Sequence, residues 1–263
     1  MLECVINVSE GRDPGIIDAL AAAAGPDLLD VHSDPHHNRS VLTVVGEAAA
    51  QAVAGATVAC VDLRAHRGAH PRIGALDVVP FVPLGEATIA DAVAARDRFC
   101  RWAAKSLDVP CFAYGPERAL PEVRRSAFVT LSPTTGPAEP HPSAGAVAVG
   151  ARPAMVAYNV WLAAPDLDLA QRVATKVRGP SIRALGLSVG DRAQVSMNLV
   201  EPAMVGPAAA TDAVASLAPI AGCELVGLVP RAVLDAVPRS RWAALDLAED
   251  RTIEARLAAR AGR

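Results

Sequence analysis

The chain has 263 residues, 52% apolar, 20% charged and 3% aromatic, with a formal net charge of −3. This is enough chain for one large or two small domains around a sizeable aliphatic core, and the slight negative charge excludes a basic field for nucleic acid. The five cysteines, at 4, 60, 100, 111 and 223, are scattered and odd in number, which speaks for buried small hydrophobes in a reducing compartment rather than a disulfide framework.

Residues 2–8 read as a strand, closed by Ser9-Glu10-Gly11. Asp13-Pro14 starts a helix, with Asp as cap and Pro at the first helical position, running through residues 16–24. Residues 28–32 and 40–45 are strands joined by a turn at 34–37, and residues 47–63 form an alanine-rich helix. A strand comes next at 76–82. Thr88 and Asp91 then form a capping-box pattern opening a helix to about residue 106, with a further strand at 109–114.

Residues 115–143 hold six prolines without apolar periodicity, and read as either a linker or a functional loop. The window 144–165 is the most apolar, but Arg152, Pro153 and Asn159 interrupt it, so it suits a buried strand, placed at 155–162, and not a membrane span. Beyond it come a helix at 166–177, strands at 184–189 and 194–200, a helix at 211–218 and a strand at 223–229. Helical segments at 231–237 and 241–259 close the chain.

The order β-α-β-β-α-β thus occurs twice. It predicts an α/β (α+β) protein of two tandem ferredoxin-like subdomains, 1–143 and 144–263, with a substrate cleft between them. No charged segment followed by an apolar one opens the chain, so the expected location is cytoplasmic, with no membrane partner.

Chemistry concentrates at residues 64–83, where a polar, turn-rich knot feeds an apolar strand. His70 is the strongest candidate. Imidazole titrates near neutrality and can take up and return a proton in one turnover. Pro71 biases His70 away from helical dihedrals, which weakens a metal pair between His66 and His70. All six histidines (32, 36, 37, 66, 70 and 141) fall in expected loops or strand ends, so a zinc hydrolase is an alternative, though no pattern of supporting carboxylates accompanies them. Arg39, Arg64, Arg67 and Arg72 lie close by in sequence. Each is either a surface charge or a partner for a substrate carboxylate. Asn7 and Asn38 either bind substrate or cap turns.

Several segments, in order along the chain, resemble the formiminotransferase family (glutamate formimidoyltransferases). They are ECVINVSEG at 3–11, NRSVLTVVG at 38–46, HRGAHPRIGALDVVPF at 66–81, GAVAVGAR at 145–152, QVSMNL at 194–199 and LVGLVP at 225–230. The resemblance implies transfer of a formimino group from N-formimidoyl-L-glutamate to tetrahydrofolate, giving 5-formimidoyltetrahydrofolate and glutamate in histidine breakdown. Tetrahydrofolate would be a co-substrate, no metal would be needed, and a homodimer is expected. The family's catalytic histidine falls on His70. Its cationic amidine passes through a tetrahedral adduct, for which Glu10, Asp34 and Asp77 are candidate carboxylates, Asp77 being equally a satisfied strand-end acid. Candidate substrate contacts are Asn7, Glu10, Asn38, Arg39, Arg72 and Asp77.

The family's folate-contacting loop falls on Gly136, Pro137, Ala138, Glu139, Pro140, His141, Pro142, Ser143, Ala144 and Gly145. Pro140 stands in place of a Phe and Ala144 in place of a Trp, so the flat aromatic faces are gone. His32 replaces an acidic residue and Ala69 a Glu. The loop at 178–183 is shorter and less basic. No cyclodeaminase segment is expected. Alternatives are another formyl or formimino donor on this fold, or a non-catalytic folate or small-molecule binder.

Overall fold

The computed structural model describes residues 1–262. The chain divides into two compact units, Met1–Pro153 and a second beginning at Ala154.

In the first unit, strand β1 (Leu2–Val8) leads to helix α1 (Pro14–Ala24), strands β2 (Leu28–Asp34) and β3 (Arg39–Val45), helix α2 (Glu47–Cys60) and strand β4 (Leu76–Pro83). Helix α3 (Ile89–Leu107), strand β5 (Cys111–Tyr114), the short helix α4 (Leu120–Ser126) and strand β6 (Val147–Ala151) complete it. The six strands lie in the order β2-β3-β1-β4-β6-β5. The first four pair antiparallel, and β6 runs parallel to both β4 and β5.

Local chemistry explains the helix starts. Asp13 accepts from the Gly15 and Ile16 amides, and Thr88 and Asp91 exchange the reciprocal bonds of a capping box. One face of the sheet packs on α1, α2 and α3. Cys4, Ile6 and Val8 alternate inward along β1, beside Leu42, Val44, Val79 and Phe81, and meet Leu20, Val53, Ala92 and Phe99. The alanines of these helices let their backbones come close to the sheet. Phe99 is fully buried, edge-on to Phe81 at 5.8 Å, and truncating such a ring costs about 3–5 kcal/mol.

A smaller cluster occupies the other face near β5 and β6. There Val123 of α4 packs with Val78, Phe112, Tyr114, Ala146 and Ala148. Tyr114 lies across Gly150, where any Cβ would overlap its ring.

The β4 ladder has one irregularity, and it positions an acid. In the β1–β4 pairing Asn7 faces Val78, but Val8 faces Leu76. Asp77 is the extra residue of a β-bulge, a device that re-aims a side chain at the cost of a local break in the ladder.

The second unit runs β7 (Val156–Leu162), α5 (Leu167–Val177), β8 (Ile182–Val189), β9 (Arg192–Leu199), α6 (Pro207–Ala215) and β10 (Ile220–Val226). Its strands lie in the order β10-β7-β9-β8, all antiparallel. The strand order within this β-α-β-β-α-β run matches that of β1 to β4 in the first unit. Its own core includes Val156, Tyr158, Val160, Val173, Val195, Met197 and Leu225. Helix α7 (Arg231–Asp235), three short 3-10 turns and helix α8 (Ile253–Ala261) complete the second unit.

Four expectations differ from the observed fold. The connector at 115–143 contains α4. The apolar window 144–165 holds two strands and not one, because Arg152-Pro153 separates β6 from β7. β6 then inserts between β4 and β5, and the division between units falls after Pro153, beyond the expected 143/144. The helix expected over 241–259 is instead 3-10 turns and a helix starting at Ile253, where Thr252 caps it.

Candidate active site

The site lies on the sheet face opposite α1–α3. At its base Asp77 is completely buried. Its Oδ2 accepts from Arg39 Nη1 at 2.7 Å and from Arg124 Nη2 at 2.6 Å, and its Oδ1 accepts from the Ile73 amide at 2.8 Å. Burial alone would raise its pKa. The Arg39 and Arg124 cations and the Ile73 N–H overturn that and hold it below the ordinary carboxylate range. Arg39 also donates from Nε and Nη2 to Asn7 Oδ1, at 3.2 and 3.0 Å. Asn7, Arg39 and Asp77, three of the predicted contacts, therefore form one connected network.

The loop between α2 and β4 is clamped almost carbonyl by carbonyl. Asn38, buried and held at a positive φ of 47° that Asn tolerates, donates to Arg67 O at 3.0 Å and accepts from the Gly11 amide at 2.9 Å. Its own carbonyl accepts from His66 Nε2 at 3.0 Å. Gly68 passes so near His37 O that a Cβ there would overlap it. Arg72 Nη2 donates to Gly68 O at 2.8 Å and His70 O at 2.7 Å.

His70 sits in the middle of this loop, half-buried, with the His37 ring edge-on at 6.0 Å between centroids. Its Nδ1 lies 2.8 Å from Pro71 O. A carbonyl oxygen only accepts, so Nδ1 carries the hydrogen and a neutral ring leaves its lone pair on Nε2. Burial, reinforced by the positive charges of Arg39 and Arg124, pushes the His70 pKa down to about 3, against smaller opposing pulls from Pro71 O and Asp77. The ring is therefore neutral at pH 7, with its lone pair on Nε2.

The remaining expected residues are placed differently. Glu10 Oε1 accepts from the Gly11, Arg12 and Asp13 amides at 2.8, 2.7 and 3.0 Å, and so serves as a cap before α1. Asp34 Oδ1 similarly accepts from the His36 and His37 amides, at 2.7 and 2.8 Å.

In the expected folate loop, Ala138, Glu139, Pro140 and Pro142 are exposed. Ala144 is different. It is 1% exposed and belongs to the main core, its amide donates to His141 Nδ1, and its carbonyl accepts from Ala75 N. No polar backbone group or open surface of Ala144 remains for a ligand. Ser143 O accepts from Leu63 N at 2.8 Å and Gly145 bridges Gly74, so this loop lies against both ends of the segment carrying His70. Among the described residues, no three His, Cys, Asp or Glu side chains converge as a metal site requires.

Arg124 was not among the sequence candidates, because it lies in the proline-rich connector. One signal was present: Leu120, Val123 and Ala127 recur at helical spacing after Ala119, with Pro121 at the helix start.

Fold and site together define an α+β protein that holds a half-buried neutral imidazole beside half-buried arginines on one face of its larger sheet. Residues 1–152 match the family described as formiminotransferase domain, N-terminal subdomain. The chain belongs to the formiminotransferase family. It is 39% identical over 232 residues to a glutamate formimidoyltransferase of Streptococcus pyogenes serotype M1, covering 76% of this chain and 77% of that one. It is 33% identical over 272 residues to a glutamate formimidoyltransferase of Thermoplasma acidophilum, covering 89% of each. It is 34% identical over 280 residues to the formimidoyltransferase-cyclodeaminase of Sus scrofa, covering 90% of this chain and 51% of that protein. The chain thus spans about half the length of the cyclodeaminase-bearing relatives.

Proposed function

We propose that this chain is a glutamate formimidoyltransferase. It moves the formimino group of N-formimidoyl-L-glutamate to tetrahydrofolate, a co-substrate, and releases glutamate and 5-formimidoyltetrahydrofolate. The observation that carries this reading is the His70 ring, fixed with its lone pair on Nε2 in a chain 39% identical to a named glutamate formimidoyltransferase.

In the first step a ring nitrogen of tetrahydrofolate bonds to the formimino carbon, and Nε2 takes the proton that this nitrogen sheds. In the second step the tetrahedral adduct collapses, the bond from carbon to the glutamate nitrogen breaks, and the imidazolium returns its proton to that nitrogen. The ring ends as it began. A base with a pKa near 3 is weak, and the substrates supply the correction. Their carboxylates offset the positive charge of Arg39 and Arg124, which raises the His70 pKa on binding. The residues at 136–145 form the folate-contacting loop in this reading, with Ala144 packed inward beneath it, and the protein acts as a cytoplasmic homodimer.

A spectrophotometric assay with formimidoylglutamate and tetrahydrofolate, run on wild type and His70→Ala, tests the reading. Turnover by wild type that vanishes in His70→Ala, with substrate binding retained, is expected. Binding without turnover in the wild type refutes it in favour of a non-catalytic binder, and turnover only with another formyl or formimino compound refutes the choice of donor.

A further inference from the structure

One carbonyl joins Arg124 to His70. The Pro71 oxygen accepts from His70 Nδ1 at 2.8 Å and from Arg124 Nη1, also at 2.8 Å. A carbonyl has two lone pairs and accommodates both donors. The other arm of the same guanidinium donates to Asp77 Oδ2 at 2.6 Å, and Asp77 is immobilised by Arg39 and the Ile73 amide. Arg124 therefore spans a buried anchor and the backbone oxygen that hydrogen-bonds the catalytic ring. Held in place, that oxygen demands an N–H from Nδ1.

We propose that Arg124 is a positioning residue for His70: by pinning the Pro71 carbonyl it selects the ring tautomer and orientation that leave Nε2 free to accept a proton. This rests on the reading of His70 as the proton acceptor. A planar fork is needed, because its two arms must reach two acceptors at once, which a single ammonium does poorly. The arrangement parallels the way a hydrogen bond at one ring nitrogen decides which nitrogen is available for chemistry.

The charged and titratable groups around the ring come from every neighbouring element: Arg39 from β3, Asp77 from β4, Arg124 from α4, His37 from the β2–β3 turn and Arg72 from the same loop. Removing Arg124 takes away one of the two cations that depress the His70 pKa, so that pKa rises.

The test uses ligand-free full-length protein labelled with nitrogen-15 in histidine, as wild type, Arg124→Gln and Arg124→Lys. The His70 tautomer and titration are read by long-range proton–nitrogen correlation, and formimino transfer is measured alongside. The wild type is expected to show hydrogen on Nδ1 only. Arg124→Gln is expected to show a mixed or reversed tautomer, a raised His70 pKa and kcat lower by about 10- to 100-fold, with KM within about twofold. Arg124→Lys should fall between the two. An unchanged Nδ1–H tautomer in Arg124→Gln, or an unchanged kcat, overturns the proposal. Should Arg124→Gln fail to fold by circular dichroism, Arg124→Lys decides on the same readouts. If the wild type transfers no formimino group, the functional reading falls, and the tautomer measurement still decides the positioning of His70 by itself.

Discussion

Asp77→Asn isolates the electrostatics at the base of the site. The substitution keeps the shape and removes the charge. Asn Oδ1 can still accept from the Ile73 amide, but its Nδ2 then faces guanidinium donors and has nothing to give them. Asp77 is fully buried, and its partners Arg39 and Arg124 have side chains only 11% and 19% exposed. Breaking a buried pair by removing one partner costs about 3–5 kcal/mol, and the partial exposure of Arg124 argues for the low end, about 3 kcal/mol. For a chain of this size that lowers Tm by about 6–12 °C. The pH dependence comes from the depressed pKa. The carboxylate contributes fully above its unfolded pKa of about 3.9, and that contribution is lost as pH falls through the lower folded value. Calorimetry or circular dichroism melts of both proteins should show the full gap at pH 7 and a closing gap below about pH 4. A gap under about 1 kcal/mol at pH 7, or one that widens on acidification, refutes the assignment of Asp77 as the charged keystone of this network.

Other consequences are as direct. His70→Ala should cost about 10²- to 10⁴-fold in kcat while changing stability by less than about 1 kcal/mol, and a variant with near-normal turnover would remove His70 from the chemistry. In the ligand-free protein the His70 ring should not titrate between pH 5 and 8. Its folded pKa lies below the unfolded value of about 6.5, so it also subtracts stability as pH drops below that value; a nitrogen-15 titration midpoint near 6.5 contradicts both statements. Asn38→Ala removes two hydrogen bonds from a buried residue with positive φ and should destabilise by about 1–3 kcal/mol, visible as a lower Tm and faster proteolysis of the 62–75 loop. Gly68→Ala forces the loop away from His37 O and should lower kcat more than Tm, so a variant with wild-type kinetics would show that the loop tolerates displacement.

What the sequence revealed was what local chemistry decides. The caps at Asp13, Thr88 and Asp166 lie within three residues of their partners, and those helix starts were placed correctly. The histidine loop announced itself through His70-Pro71 and the arginines beside it. The role of Asn38 was open between ligand and turn, and the structure shows its side chain engaged within the fold. β6 stayed hidden because its five residues, Val147–Ala151, share one apolar window with β7, and only their parallel pairing with β4 and β5 defines them as a separate strand. Arg124 stayed hidden because its partners at 71 and 77 are brought to it by the sheet and not by sequence spacing. Ala144 looked like a ligand position that had lost its ring, and it turned out to be a core residue.

The bulge in β4 separates two jobs that usually share one strand. Leu76 and Val79 both face the helices although they are three apart, because Asp77 is spliced between them outside the alternating pattern. The apolar frame of β4 therefore does not depend on what occupies position 77. Excising that residue altogether would return the hydrophobic partners of β4 to simple alternation, but would leave Arg39 and Arg124 without the anion that gathers them. The inserted residue thus carries the charge of the site, while the residues on either side of it carry the packing.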